Sequence, residues 1–369
     1  MSTDLERIKI GLTSDFRPVY WKERYTHLLV LGKSGTGKSS FISHCWESDE
    51  LWKHAKVLVE PSGFLTQDCY SISKGRARYC SLDSPVSLNP MFLPYPPDTV
   101  SDIVAECINQ VIRICTPNER LTAKMRVILD EELKDCLEHN RKSLLYVRDR
   151  LERRTGDTET RSGILARLNF LLSDKRMEPL ICGRDSVRWG EVIQKRESFI
   201  LDCFGMSAEK MIFTGNVISQ GIKNYFRYER PSVYRPMSLY IDECHNFAST
   251  SFLQEILREA RKFKISCVLS TQHFAGMDDT MVRTLLNVGS IVAFRLGARE
   301  AHMVAREMDI SPEELQFLEK YHLAYLTAGA KGLAKAPRPP LVRKIAPMKV
   351  EPPRKAQRGW FPLEPYSAT

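Results

Sequence analysis

Residues 27 to 40 read His-Leu-Leu-Val-Leu-Gly-Lys-Ser-Gly-Thr-Gly-Lys-Ser-Ser. Leu28 to Leu31 is a short apolar run of the kind that forms a buried strand. Gly32, Gly37, Lys38 and Ser39 follow it at the spacing G-x-x-x-x-G-K-[ST], the pattern of a phosphate-binding loop. A triphosphate needs backbone N–H groups aimed inward from several sides, so the chain must turn tightly at Gly32, Gly35 and Gly37. The expected cradle is therefore Gly32, Lys33, Ser34, Gly35, Thr36, Gly37, Lys38, Ser39 and Ser40, with the start of a helix adding partial positive charge. Within it, Lys38 reaches the β- and γ-phosphates and the Ser39 hydroxyl ligates Mg²⁺.

Outward from this loop, the chain has 369 residues, enough for one large domain with an insertion or for two domains. Charged residues make up 27% and hydrophobic ones 43%, the balance of a soluble globular protein. No apolar run approaches the length of a membrane span, and the first residues lack the layout of a secretory signal. Ten cysteines without a C-x-x-C pair read as reduced thiols rather than a disulfide framework or zinc site, so the expected compartment is the cytoplasm. The net charge of +9 favours a polyanionic partner.

In chain order, residues 7–10 and 16–20 predict two short strands, and a helix is expected from Lys38 to about Ser48. Strands follow at 55–59 and 77–82. Between Thr99 and Cys115, Val100, Ile103, Val104, Cys107, Ile108 and Val111 recur every three or four residues, which puts them on one helix face. Thr116-Pro117-Asn118-Glu119 reads as a capping box that starts a second helix, running to about His139. Two more helices, 143–153 and 158–173, complete a mostly α insertion. Strand and helix then alternate: strands at 198–203, 238–241, 265–270 and 289–294, helices near 207–227 and 251–262. This pattern implies a parallel sheet with helices on both faces and ligands beyond the carboxyl ends of the strands. The Pro-, Lys- and Arg-rich stretch from Lys331 to Thr369 reads as an extended tail.

Ser238 to Glu243 is a buried-strand pattern that ends in two acids. Beside a phosphate-binding loop the first, Asp242, is expected in the Mg²⁺ shell, and the second, Glu243, orients and deprotonates the attacking water. The next apolar strand ends in Thr271-Gln272, whose amide would lie at the level of the γ-phosphate. Arg258 and Arg261, three apart on the intervening helix, share a face. From there a guanidinium could cross to a neighbouring subunit as an arginine finger, or simply be solvated.

Together these residues resemble the HerA–FtsK superfamily of hexameric DNA-pumping ATPases, and within it the HerA-type and TraG-like members of conjugation and type IV secretion. The resemblance rests on the loop, Val-Glu-Pro-Ser-Gly-Phe-Leu at 59–65, Leu-Asn-Pro-Met at 88–91 and Leu-Tyr-Ile-Asp-Glu-Cys-His-Asn-Phe at 239–247. Arg-Glu-Ala-Arg-Lys-Phe at 258–263, Leu-Ser-Thr-Gln at 269–272 and Ala-Phe-Arg-Leu-Gly at 293–297 extend it over most of residues 27–330. It implies an α/β, RecA-like P-loop core with a mostly parallel sheet, built from residues 1–97 and 186–345. A helical insertion would fill 98–185, and 346–369 would form a basic tail. It implies ATP and Mg²⁺ as cofactors, Glu243, Gln272, Arg261 and Lys38 as catalytic residues, Arg261 acting as the finger, and Arg295 as a second phosphate sensor.

The implied activity is ATP-driven translocation of double-stranded DNA, without regard to base sequence, by a homohexamer serving a secretion, packaging or nuclease partner. Lys74, Arg76 and Arg78 are channel candidates on charge alone. The sequence departs from the family where Asp-Pro-Lys-Gly-Asp/Glu becomes Glu60-Pro61-Ser62-Gly63-Phe64. It also shows neither the membrane helices of coupling proteins nor the N-terminal barrel of HerA. Asp242-Glu243-Cys244-His245 also spells the box of DExH helicases, which require a second RecA-like domain. A nucleotide switch that scaffolds a partner is a third reading, one that would need neither Glu243 nor Arg261.

Overall fold

The computed structural model describes residues 7–115, 121–247 and 251–347. Its strands are β1 (Ile8–Leu12), β2 (Pro18–Trp21), β3 (Leu28–Leu31), β4 (Ala55–Glu60), β5 (Arg78–Cys80) and β6 (Ser198–Asp202). They continue with β7 (Met237–Ile241), β8 (Ile265–Thr271), β9 (Ser290–Ala293), β10 (His322–Thr327) and β11 (Ala330–Lys335). One sheet holds them in the order β2-β1-β11-β10-β9-β3-β8-β7-β4-β6-β5. From β9 to β5 every pairing is parallel, and from β9 to β2 every pairing is antiparallel.

β3, β4, β7 and β8 are buried along their whole length because helices cover both faces, which is why they are mostly apolar rather than alternating. In β3, Leu29 and Leu31 face one hydrophobic layer while Leu28 and Val30 face the other. The second layer holds α1 (Lys38–Leu51) and α2 (Phe64–Ile72). The first contains α3 (Pro97–Cys115), α4 (Ala123–Glu138), α5 (Leu144–Arg153), α6 (Thr158–Leu172), α7 (Glu178–Ile181), α8 (Trp189–Gln194) and α9 (Ala208–Asn224). It also takes the apolar faces of α10 (Ser251–Glu259), α11 (Asp279–Leu286), α12 (Ala298–Met308) and α13 (Pro312–Phe317). The expected stripe on α3, Val100 to Val111, is buried throughout. Between β5 and β6 the regular structure is entirely helical, and its apolar residues merge with those of the sheet.

Two expectations need correction. The helix after α3 does not run from the Thr116 box, which lies outside the described residues. It begins at Ala123, where the Thr122 side chain accepts the Met125 N–H at 3.2 Å. Nor does the tail begin at Lys331. Residues 330–335 form β11, paired with β10 along its length, and the chain turns between them at Gly329, whose φ is 82°. β11 reads as a tail because most of its side chains are exposed. After β9 the alternation also continues further than expected, through α12, α13 and this hairpin.

Candidate nucleotide site

At the carboxyl end of β3 the chain turns through residues 32–37 into α1. Gly35 has φ 75° and Gly37 φ 120°, the region that only glycine adopts freely. Packing adds a second reason for glycine. A Cβ on Gly32 would lie 2.8 Å from the buried Phe294 Cβ, and one on Gly37 would lie 2.8 Å from Tyr321 Cδ1. The loop is pinned at three points. The Thr36 hydroxyl donates to the Lys33 carbonyl at 2.8 Å, the Lys33 N–H donates to the Arg295 carbonyl at 2.9 Å, and the Tyr321 N–H donates to the Thr36 carbonyl at 3.0 Å. Lys33, Ser34, Gly35 and Ser39 are exposed and Ser40 is half-buried. Gly37, the residue before α1, offers no side-chain cap and the first turn holds no acid, so the helix's N-terminal N–H groups and dipole are available to an anion.

The acids arrive from β7. Its register against β8 pairs Tyr240 with Val268 and Ile241 with Leu269, which brings Asp242, just past the end of β7, beside Ser270. The Ser270 hydroxyl donates to Asp242 Oδ1. Lys38, only 5% exposed, places Nζ 3.1 Å from Glu243 Oε1 and 3.7 Å from Asp242 Oδ1. The Gln272 amide donates to the same Glu243 oxygen at 2.6 Å. His245 Nδ1 lies 3.3 Å from Glu243 Oε2 and 3.1 Å from the Thr271 hydroxyl, and its ring stands 4.4 Å from that of His273. Burial pushes the Glu243 carboxyl up, but His245, Lys38 and Gln272 outweigh it and hold the group at about 2. Its backbone is strained as well, with φ 46°.

Thus Lys38, Asp242, Glu243 and Gln272 converge on one point. Arg261 does not join them. It is exposed on the single turn of 3₁₀ helix that follows α10 and precedes the first residue of β8, at the amino end of the sheet. Arg258 is also exposed on α10. Arg295 is exposed just past β9, at the same edge as the loop. Of the channel candidates, Arg76 pairs with Glu50 at 3.0 Å and Arg78 with Glu197 at 2.9 Å, so both charges already have carboxylate partners.

Sequence reading missed three contributors: His245, Ser270 and Glu60. The first two follow once β7 and β8 are aligned in register, information that a single strand does not carry. Glu60 ends β4 between Asp202 on β6 and the β7 strand that leads into Asp242. It is fully buried. Oε1 accepts the Ser62 N–H at 2.8 Å and the Ser62 hydroxyl, while Oε2 has no hydrogen-bond partner. Burial raises its carboxyl to about 7, opposed by Ser62 and assisted by the charges of Asp242 and Asp202.

Mg²⁺ fits this donor set. The Ser39 hydroxyl and the Asp242 carboxylate are two hard oxygen donors. That suits an ion which takes one or two protein oxygens and completes its shell with phosphate and water.

No protein-family model and no curated protein matches the sequence. Solved structures do. VirB4 of Thermoanaerobacter pseudethanolicus superposes with a TM-score of 0.72 at 13% identity, over 90% of this chain and 97% of that one. The bacterial conjugative coupling protein TrwBdeltaN70 in its unbound form gives 0.69 at 16% identity, covering 94% and 90%. The plasmid coupling protein TrwB in complex with ADP and Mg²⁺ gives 0.68 at 19%, covering 92% and 91%. The likeness establishes the fold, which is the one implied by the HerA–FtsK resemblance.

Proposed function

We propose that the chain is an ATP-driven motor for double-stranded DNA, acting in the cytoplasm as a homohexameric ring with ATP bound between subunits. The observation that carries this reading is the convergence of Lys38 and Gln272 on a single half-buried carboxylate, Glu243, beside the phosphate-binding loop.

The Lys38 ammonium bridges both acids. A triphosphate on the loop draws Lys38 to its β- and γ-oxygens. That removes from Glu243 one of the charges that depress its basicity, so loading the site turns a carboxylate of very low proton affinity into a better base. Glu243 then takes a proton from the attacking water, and Gln272 keeps carboxylate and water aligned. Mg²⁺, held by Ser39 and Asp242, would withdraw charge from the phosphate oxygens. Lys33, Ser34, Gly35, Thr36, Gly37 and Ser40 contribute loop N–H groups. Arg261 would complete the site of the adjacent subunit, with Arg295 sensing phosphate from within the chain. The net positive charge suits contacts with backbone phosphates, which carry no sequence information. That TrwB was crystallised with ADP and Mg²⁺ supports the cofactor assignment by analogy.

The DExH helicase reading loses ground because residues 298–335 are used for α12, α13 and the β10–β11 hairpin of the same sheet. The decisive experiment is the ATPase rate with and without double-stranded DNA at low salt, for wild type and Glu243→Gln. DNA should stimulate the wild type, and the variant should fall by about 100-fold or more while still binding ATP. An unstimulated wild type would refute the DNA motor, and a fully active variant would remove Glu243 from the chemistry.

A further inference from the structure

The carboxyl edge of the sheet has two sides about the loop. On one, β8 and β7 lead to Gln272, Asp242 and Glu243. On the other lie β9 and the antiparallel β10, whose first residues therefore stand at this same edge. A triphosphate whose γ end meets Lys38 and Glu243 sends its α end, and the nucleoside beyond it, away from β7. The aromatic residue waiting on that side is Tyr321, immediately before β10.

Its backbone is fixed from two directions: the N–H donates to the Thr36 carbonyl at 3.0 Å, and the carbonyl accepts the Ala336 N–H at 2.8 Å. Its φ is 64°, a conformation that a bulky L-residue keeps only when its surroundings impose it. The ring edge packs so closely on Gly37 that a Cβ there would clash with Tyr321 Cδ1, yet 37% of the residue is exposed. Lys320, which lies over the ring at 5.0 Å from its centroid, is exposed and flexible enough to be displaced by a planar group. An aromatic ring tied by its own main chain to a phosphate loop, strained and open to solvent, packs no core.

We infer that Tyr321 is the platform on which the base of the bound nucleotide stacks. This rests on the nucleotide reading above and adds a binding residue outside its motifs. Stacking on one face requires a π-surface and no particular hydrogen-bond pattern, so the phenol oxygen is dispensable. The test compares binding of MgATP and of inorganic tripolyphosphate with Mg²⁺ by calorimetry, for the full chain and its Tyr321→Ala and Tyr321→Phe variants. Tyr321→Ala should weaken MgATP by about tenfold or more and leave tripolyphosphate unchanged, and Tyr321→Phe should restore MgATP. Unchanged MgATP binding in Tyr321→Ala would overturn the inference. So would equal losses for both ligands, since the ring would then be supporting the loop rather than the base. MgATP that fails to bind the wild type would instead remove the nucleotide reading, and this one with it.

Discussion

Glu243 and Glu60 end adjacent strands, yet their surroundings shift them in opposite directions. Glu243 is surrounded by donors and cations, so it stays ionised at every pH near neutrality, and its native-state benefit is lost only as pH falls from about 4.5 toward about 2. The acid limb of a kcat/KM–pH profile, which reports the free enzyme, should therefore not report this residue. Glu60 is the reverse case. Its folded value near 7 lies above the ordinary carboxylate value, so the native state holds a proton that the unfolded chain releases. Stability then declines as pH rises from about 4.5 through 7. Glu60→Gln, which keeps the shape and supplies donors toward the neighbouring acids, should raise stability by ~1–3 kcal/mol at pH 8 and by almost nothing below pH 4.5. Thermal melts of both proteins at the two pH values check this. A variant equally stabilised, or destabilised, at both would show that Glu60 is not held protonated.

Elements whose sequence pattern matches their burial were legible in advance. β3 and β7 lie within one residue of their expected ranges because short, mostly apolar runs between polar flanks have few other structures to adopt, and α3 shows its stripe plainly. What stayed hidden depends on partners far away in the chain. β11 is polar on most positions and becomes a strand only because β10 offers a ladder and Gly329 a turn. The site was readable as loop, acid pair and amide. His245 and Ser270 needed the register between β7 and β8, and Tyr321 needed the antiparallel return of β10. Local capping signals also compete: Thr116-Pro117-Asn118-Glu119 fits the capping-box pattern, yet α4 uses Thr122, whose side chain meets Met125 N–H. Thr122→Ala should therefore cost about 1 kcal/mol, read as a lower melting temperature. No change in melting temperature would place the true start of α4 elsewhere.

At the scale of the whole molecule the deciding fact is direction. The loop, both acids and Gln272 lie at the carboxyl edge of the parallel strands, whereas Arg261 lies just before the amino end of β8, a strand of seven residues and so about 20 Å long. An arginine side chain does not span that distance, so if Arg261 serves hydrolysis it serves a site on another copy. This separates a ring from a self-sufficient enzyme by a mixing experiment. Arg261→Ala and Glu243→Gln should each be nearly inactive alone while retaining nucleotide binding. Mixed before assembly, the Glu243→Gln subunit still offers an intact Arg261 to a neighbour whose Glu243 is intact, so about a quarter of the interfaces in an equal random mixture regain both groups. Hydrolysis should then reappear at a comparable fraction of the wild-type rate, together with a higher-order species in native mass spectra with nucleotide present. A mixture as inactive as its components would mean that Arg261 does not act across an interface. An Arg261→Ala protein with full activity would mean that it does not act in hydrolysis at all, leaving Arg295 as the arginine nearest the loop edge to test.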